Sequence, residues 1–319
     1  MTVLDWKDIS EAAAIIKRGG LVAMPTETVY GLAADATDDR AVARIFEIKA
    51  RPQFNPMIIH VLDVAAVEQY AEVSPLARRL AGAFWPGPLT LALPRRADCS
   101  VSLLATAGLN SIALRAPDHP LARALIGASA RPLAAPSANR SGATSPTCAE
   151  HVRDSLGDKV DLILDGGPCL VGLESSIVKL EGDDIVLLRP GGVATVEIER
   201  IAGRRVRRPD ASAATAIESP GMLASHYAPR ARLRINIDAP KPGEAYLAFG
   251  RTPEGHPHTF NLSASGELRE AAANLFAHLR AADALVASLG LAGIAAAPIP
   301  AEGLGEAIND RLSRAAGSR

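Results

Sequence analysis

Three segments of this chain gather side chains that could do chemistry. PTETVYGL (25–32) sets the hydroxyls of Thr26, Thr28 and Tyr30 and the carboxylate of Glu27 between an apolar run and a glycine turn. Polar side chains gathered at a strand end line pockets; the competing reading is a turn closed by its own side-chain-to-backbone bonds. KARPQFNPMIIH (49–60) releases Lys49 and Arg51 together from a helix end that Pro52 stops. Capping a helix C-terminus would account for both cations. Two cations, the Asn55 amide and the His60 imidazole also suit a phosphate ester, because Arg forks two oxygens and Lys supplies compact charge. APSANRSGATSP (135–146) is either a plain loop or a source of hydroxyls and backbone N–H groups for phosphate oxygens. The chain contains neither a Walker A loop nor a GxSxG nucleophile elbow.

Three further pieces are weaker alone. Ser175 and Ser176 in LESSIV (173–178) could merely start a strand. Arg189 in LRPGG (188–192) stands at a strand end, where a surface ion pair is the commoner role. SPGMLASHYAP (219–229) embeds Met, Leu, His and Tyr in a stretch that otherwise reads as a linker. A linker with a His–Tyr pair between two prolines is expected to dock, because Pro220 and Pro229 lower the entropy lost on docking and a tyrosine can stack and hydrogen-bond at once. A flexible tether with His226 and Tyr227 packed between domains is the alternative.

Helices are expected through EAAAIIKR (capped by Ser10 or Asp8), 38–50, 74–88, 117–128 and 147–157. Strands are expected at 21–24, 57–61, 89–93, 111–115, 132–136, 160–165, 175–180 and 184–189. Strands outnumber helices, so the first domain reads as mixed α/β with a substantial sheet, not a strictly alternating parallel fold. After about residue 203 the composition changes. RRVRRPDASAATAIESPG has no apolar period and reads as a linker, its four arginines either a solvated charge run or an RNA or ATP contact. Periodic structure returns near 231 with the order β-β-α-β-α, a small α/β domain. The expected division is 1–203, a linker or lid over 204–229, and 230–319.

With 48% hydrophobic and 22% charged residues, the 319-residue chain has an ordinary globular composition. Its net charge of −1 gives no global attraction to nucleic acid or anionic membrane. The three cysteines, 99, 148 and 169, form no CxxC pair, which argues against a disulfide framework or zinc site and fits a reducing cytoplasm. No secretory leader is read at the start, and no uncharged apolar run is long enough to span a membrane.

Taken together, PTETVYGL, KARPQFNPMIIH, LRAPDHP, APSANRSG, ESSIV and LRPGG, in this order, resemble the YrdC-like domain of threonylcarbamoyl-AMP synthases. SPGMLASHYAP followed by a small α/β module resembles the long, two-domain form of that family. The resemblance covers essentially the whole chain, and the first domain's motifs are specific as an ordered set. It implies a mixed twisted-sheet YrdC-like fold plus a smaller C-terminal α/β domain. The implied reaction takes L-threonine, bicarbonate and ATP to threonylcarbamoyl-AMP and pyrophosphate. A separate tRNA threonylcarbamoyl transferase then uses the product to modify adenosine 37.

Residue by residue, the resemblance implies threonine binding by Thr28, His60, Arg115, Ser175 and the Ala135 backbone. It implies ATP binding by Lys49, Arg51, Asn55, Ser111, Ser137, Ser145, Arg189 and Tyr227. Ser111 and Ser176 stand where threonine is familiar in the family; the hydroxyl is kept. Mg2+ is expected to arrive with ATP, without a protein cage. No general base is assigned: Lys49 and His60 are candidates, Arg51 joins them as a catalytic candidate, and bound phosphate or bicarbonate could serve instead. The linker is expected to fold over the first domain's pocket. The rival classes are weaker. An RNA-binding module calls for basic patches interleaved with aromatics, and aromatics are 4% here, leaving room only for a weak RNA contact. Carbamoyl-adenylate chemistry on another acceptor lacks the zinc-finger and acylphosphatase-like segments of the large carbamoyltransferases. A non-enzymatic interaction protein leaves the pocket residues unexplained.

Overall fold

The computed structural model describes residues 6–52, 54–182, 184–209, 220, 226–252 and 255–317. The first unit is built on nine strands: β1 (Val22–Met24), β2 (Gly31–Asp35), β3 (Ile58–His60), β4 (Leu89–Pro94), β5 (Ser111–Arg115), β6 (Leu133–Ala134), β7 (Leu162–Ile163), β8 (Ser176–Glu181) and β9 (Asp184–Arg189). Their order in the sheet is β7-β1-β2-β6-β3-β5-β4-β8-β9. The pairs β1–β7, β3–β5 and β4–β8 are parallel and the others antiparallel. The expected mixed sheet is therefore present. β2 had no counterpart in the sequence reading: all five of its residues are buried, so it shows no alternation to mark it.

Helices cover both faces of the sheet. α1 (Trp6–Lys17) packs on α5 (Pro120–Ser129) over one face. α2 (Asp39–Lys49), α4 (Pro75–Phe84) and α7 (Thr195–Ala202) cover the other; α3 (Val64–Val67) and α6 (Ala149–Leu156) are short. Local chemistry sets their ends. The Asp38 carboxylate accepts from the Arg40 and Ala41 N–H groups to start α2, and Ser74 with Pro75 starts α4. α1 begins earlier than expected, which puts Asp8 and Ser10 inside the helix and not at its cap.

The second unit is a four-stranded, all-parallel sheet in the order β10-β13-β11-β12. Its strands are β10 (Leu233–Arg234), β11 (Glu244–Ala248), β12 (Thr259–Asn261) and β13 (Gly293–Ala296), and its helices are α8 (Leu268–Leu289) and α9 (Gly305–Ala316). The expected order lacked β12, whose three residues are only half-buried and carry one apolar side chain. This unit's apolar core does not close on itself. Leu275, Phe276 and Leu279 of α8 and Ile308 and Leu312 of α9 share one cluster with Val29 and Leu173 of the first unit and with Tyr227 between the two.

The arginine run after α7 keeps its side chains exposed, as a solvated charge run does, but its backbone is paired. The Arg207 N–H donates to Ile185 O (2.8 Å) and its carbonyl accepts from Leu187 (2.9 Å), so the chain continues alongside β9. Arg207 pairs with Asp184 and Arg208 with Glu306. The sequence did not show this pairing, because a short edge pairing uses backbone groups, which composition does not reveal. Of the linker or lid expected over 204–229, residues 204–209, 220 and 226–229 are described; 210–219 and 221–225 lie outside the described residues.

Candidate active site

The segments singled out in the sequence converge on a cleft of about 540 Å³, its open mouth included. Backbone bonds lace two of them together. Tyr30 N–H donates to Pro146 O, Leu32 N–H to Pro136 O and Ala138 N–H to Tyr30 O, at 2.7–2.9 Å. Gly31 lets the two strands of loop touch, since a Cβ there would stand 3.2 Å from that of Ala135. The third segment enters through strand register: β3 and β5 run parallel with His60 opposite Arg115, so their ends deliver imidazole and guanidinium side by side. Gly191 closes the far wall. A Cβ there would come within 2.3 Å of the Ser175 backbone, so LRPGG can lie against ESSIV only with glycine at that position.

One half of the cleft is lined by Thr28, His60, Arg115, Ala135 and Ser175. Arg115 is buried and ion-paired: Nη2 donates to Glu27 Oε1 (2.6 Å), Nη1 to Thr28 Oγ1 (2.9 Å) and Nε to Gly87 O (3.2 Å). Each terminal nitrogen keeps one further N–H, enough to fork a carboxylate. Thr26 gives its proton to Val29 O (2.6 Å), so in its 2.9 Å bond with Thr28 it must accept. Thr28 therefore turns a lone pair, not a proton, toward the cleft. Ser175 Oγ bonds Thr90 Oγ1 (2.7 Å). Burial, then the charge of Arg115, pushes the His60 imidazole down to about 3, and its Nδ1 has no partner among the described residues. It is a neutral hydrogen-bonding group and a poor proton acceptor, which removes most of its claim as a general base.

The other half carries unbalanced positive charge. Arg51 donates to the carbonyls of Asn55 (3.1 Å) and Pro56 (2.6 Å). Arg189 donates to Ser175 O (3.0 and 3.1 Å), Ser175 Oγ (3.2 Å) and Pro220 O (3.2 Å). Both are buried and, among the described residues, neither is in an ion pair. Burial lowers Arg51 to about 10 and Arg189 in the same direction. Both stand at element ends, but neither is at the surface, where helix capping or a surface ion pair would leave them; both are buried, and Arg189 reaches the linker at Pro220. Ser137 and Tyr227 complete this half.

Four expected site residues do not line the cleft. The buried Lys49 amine donates to the carbonyls of Ser137 and Asn139, fastening the 135–146 loop to the end of α2; burial, then Arg51, lowers it well below the usual lysine range. Ser145 gives its proton to Glu174 Oε1 (2.6 Å) and can offer a ligand only lone pairs. Asn55 is fully buried with both side-chain polar atoms unpartnered among the described residues, a mark of a group that meets a ligand or water. Ser111 begins β5, about 13 Å from Arg115 by strand rise.

Three of the described linker residues, Pro220, His226 and Tyr227, line the cleft. Pro220 O accepts from Arg189, and Ala228 N–H donates to Gly142 O (2.9 Å). Tyr227 is 1% exposed, its backbone is left-handed at φ 62°, and its ring lies 4.0 Å from His226 and 5.5 Å from Phe276. A non-glycine in that conformation is strained and needs its surroundings to hold it. Tyr227→Ala is expected to weaken nucleotide binding about tenfold and to speed protease cleavage between 204 and 229; unchanged binding and cleavage would favour the plain tether. Sequence reasoning gave no role to Glu27, Glu174 or Arg311. Glu27 stood inside a motif already singled out, whereas Arg311 had no local signal, since its partner lies 137 positions away.

Residues 14–191 match the family model Sua5_yciO_yrdC, described as telomere recombination, and residues 193–317 match the threonylcarbamoyl-AMP synthase C-terminal domain. The chain belongs to the Sua5/YciO/YrdC family, in the two-domain form that carries the threonylcarbamoyl-AMP synthase C-terminal domain. The threonylcarbamoyl-AMP synthase of Bacillus subtilis (strain 168) is 40% identical over 98% of this chain and 93% of that protein. The crystal structure of Pyrococcus abyssi Sua5 complexed with L-threonine matches with TM-score 0.89 at 39% identity, over 99% of this chain and 96% of that one. A variant of the same archaeal protein, with an adjacent His and Tyr both replaced by Ala, matches with TM-score 0.87 at 37% identity, over 99% and 94%.

Proposed function

We propose that this chain joins L-threonine, bicarbonate and ATP into threonylcarbamoyl-AMP, releasing pyrophosphate and water. The observation that carries the reading is the division of one cleft. Arg115, Thr28, His60 and Ser175 form a compact polar half suited to a small hydroxy amino acid, and Arg51 and Arg189 form a half whose charge no carboxylate balances. The threonine amine adds to bicarbonate, water leaves, and a carbamate results. A carbamate oxygen then attacks the α-phosphorus of ATP and pyrophosphate departs. Neither step needs a covalent nucleophile on the protein. Both gain from fixed positive charge in a site shielded from water.

Arg115 holds the threonine carboxylate with its two remaining N–H groups, and the Thr28 lone pair accepts the threonine hydroxyl proton. Arg51 and Arg189 face the polyphosphate, with Asn55 and Tyr227 beside it. Since His60 binds protons weakly and the Lys49 amine is held by two carbonyls, the base is a substrate oxygen, on bicarbonate or phosphate. The cleft's acids, Glu27 and Glu174, are each tied to an arginine. Mg2+ therefore fits this site as a passenger on ATP, held by phosphates and water, where it neutralises phosphate charge. The product is an activated carbamate for a separate tRNA threonylcarbamoyl transferase acting at adenosine 37. We place the enzyme in the cytoplasm: its cysteines are unpaired, and no described helix is long and apolar enough to cross a membrane. Pyrophosphate release should require threonine, bicarbonate and ATP together; release at full rate without bicarbonate would refute the reaction.

A further inference from the structure

Glu174 is a buried carboxylate in the cleft wall, and its charge must be balanced by something. Two cations stand near it. Arg189 is close enough that each shifts the other's ionisation. Yet the ion pair forms with Arg311 of α9, in the second unit, whose Nε donates to Glu174 Oε2 at 2.7 Å. Arg311 is the largest fully buried side chain among the described residues and has 0% exposure. Its Nη1 donates to Pro190 O (3.0 Å) in the LRPGG turn and to Asp310 (2.6 Å), and its guanidinium carbon lies 5.1 Å from the centre of the Tyr227 ring. Asp310 also accepts from Arg314 (2.9 Å). Two carboxylates and two guanidiniums thus balance, and Arg189 is left with only carbonyl and hydroxyl partners.

From this we infer that Arg311 is a positioning residue for the nucleotide half of the site: by holding Glu174, it keeps Arg189 unpaired and available to phosphate. The inference rests on the reading of that half as the ATP site. Without Arg311, the Glu174 carboxylate has one cation left within reach, Arg189, and an ion pair between them competes with the polyphosphate. Pairing across the two units also places the balance under the control of domain docking. The second unit then bears on the site's chemistry, because through Glu174 it decides whether Arg189 is paired.

The test is ATP affinity by titration calorimetry on the full chain, with steady-state KM values for ATP and threonine. Arg311→Ala is expected to weaken ATP about tenfold, within the coupling measured for residues of one ion-pair network, while the KM for threonine moves less than about twofold. Adding Glu174→Gln removes the competing charge and should recover several-fold of the lost ATP affinity, a rescue that a packing role would not give. Folded Arg311→Ala with wild-type ATP affinity overturns the inference, as does a double variant no better than the single one. Should Arg311→Ala not fold, the neutral pair Glu174→Gln/Arg311→Met carries the test: it is expected to bind ATP within about threefold of wild type, and a loss beyond tenfold overturns the inference. If the unaltered chain does not bind ATP, the proposed function falls and the inference with it; if it does, failure of the variants touches the inference alone.

Discussion

Arg51→Ala and Arg189→Ala are each expected to lower turnover about 10²–10³-fold, the range found for removing one preorganised stabiliser of transition-state charge. The structure makes the effect specific to chemistry. Both guanidiniums are held by backbone carbonyls and, in Arg189, by the Ser175 hydroxyl, so each is fixed in direction but not neutralised. Removing a buried cation that lacks a carboxylate partner breaks no ion pair and lifts a desolvation penalty, which offsets the carbonyls left unbonded. The variants should therefore remain folded, as circular dichroism and thermal unfolding can check. Near-normal rates in both folded variants would leave these residues only a structural role, tying their neighbouring carbonyls together.

2-Aminobutyrate and valine are expected to be used on the order of 10⁴-fold less efficiently than threonine, as in sites built to hydrogen-bond a substrate hydroxyl. The reason lies in where the protons go. Thr26 donates to Val29 O and Thr28 to Thr26, which leaves Thr28, itself 0% exposed, with a lone pair that it cannot turn to bulk water. Ser175 is in a similar position between Thr90 and Arg189. An amino acid without the hydroxyl strands these buried groups, and the loss exceeds what a methyl contact returns. Comparing kcat/KM for the three amino acids decides the point, and equal values for valine and threonine would remove Thr28 and Ser175 from substrate recognition.

Much of the site was legible in the sequence because its parts are local. Each motif is a few residues at a strand or helix end, and the ends converge because β3, β5, β8 and β9 lie near one another in the sheet. Non-local effects were less legible. β2 was hidden because full burial removes alternation, and the 204–208 pairing because it uses backbone. The resemblance puts Lys49 and Ser145 among the ATP-binding residues, and no sequence window shows that the fold ties one to carbonyls and the other to Glu174. The Glu174–Arg311 pair joins two units whose sequences carry no sign of each other. Burial of Arg51 and Arg189 was likewise hidden, because it depends on how element ends distant in sequence pack together, and for Arg189 on Pro220, 31 positions away.

The proposed reaction places a single carbon from bicarbonate between the threonine nitrogen and AMP. It is tested most directly by incubating the full chain with threonine, ATP, Mg2+ and carbon-13 bicarbonate and weighing the nucleotide product. The account predicts threonylcarbamoyl-AMP heavier by one mass unit than with ordinary bicarbonate, formed together with pyrophosphate. A threonyl-adenylate with no label, or ADP and phosphate in place of pyrophosphate, would contradict it.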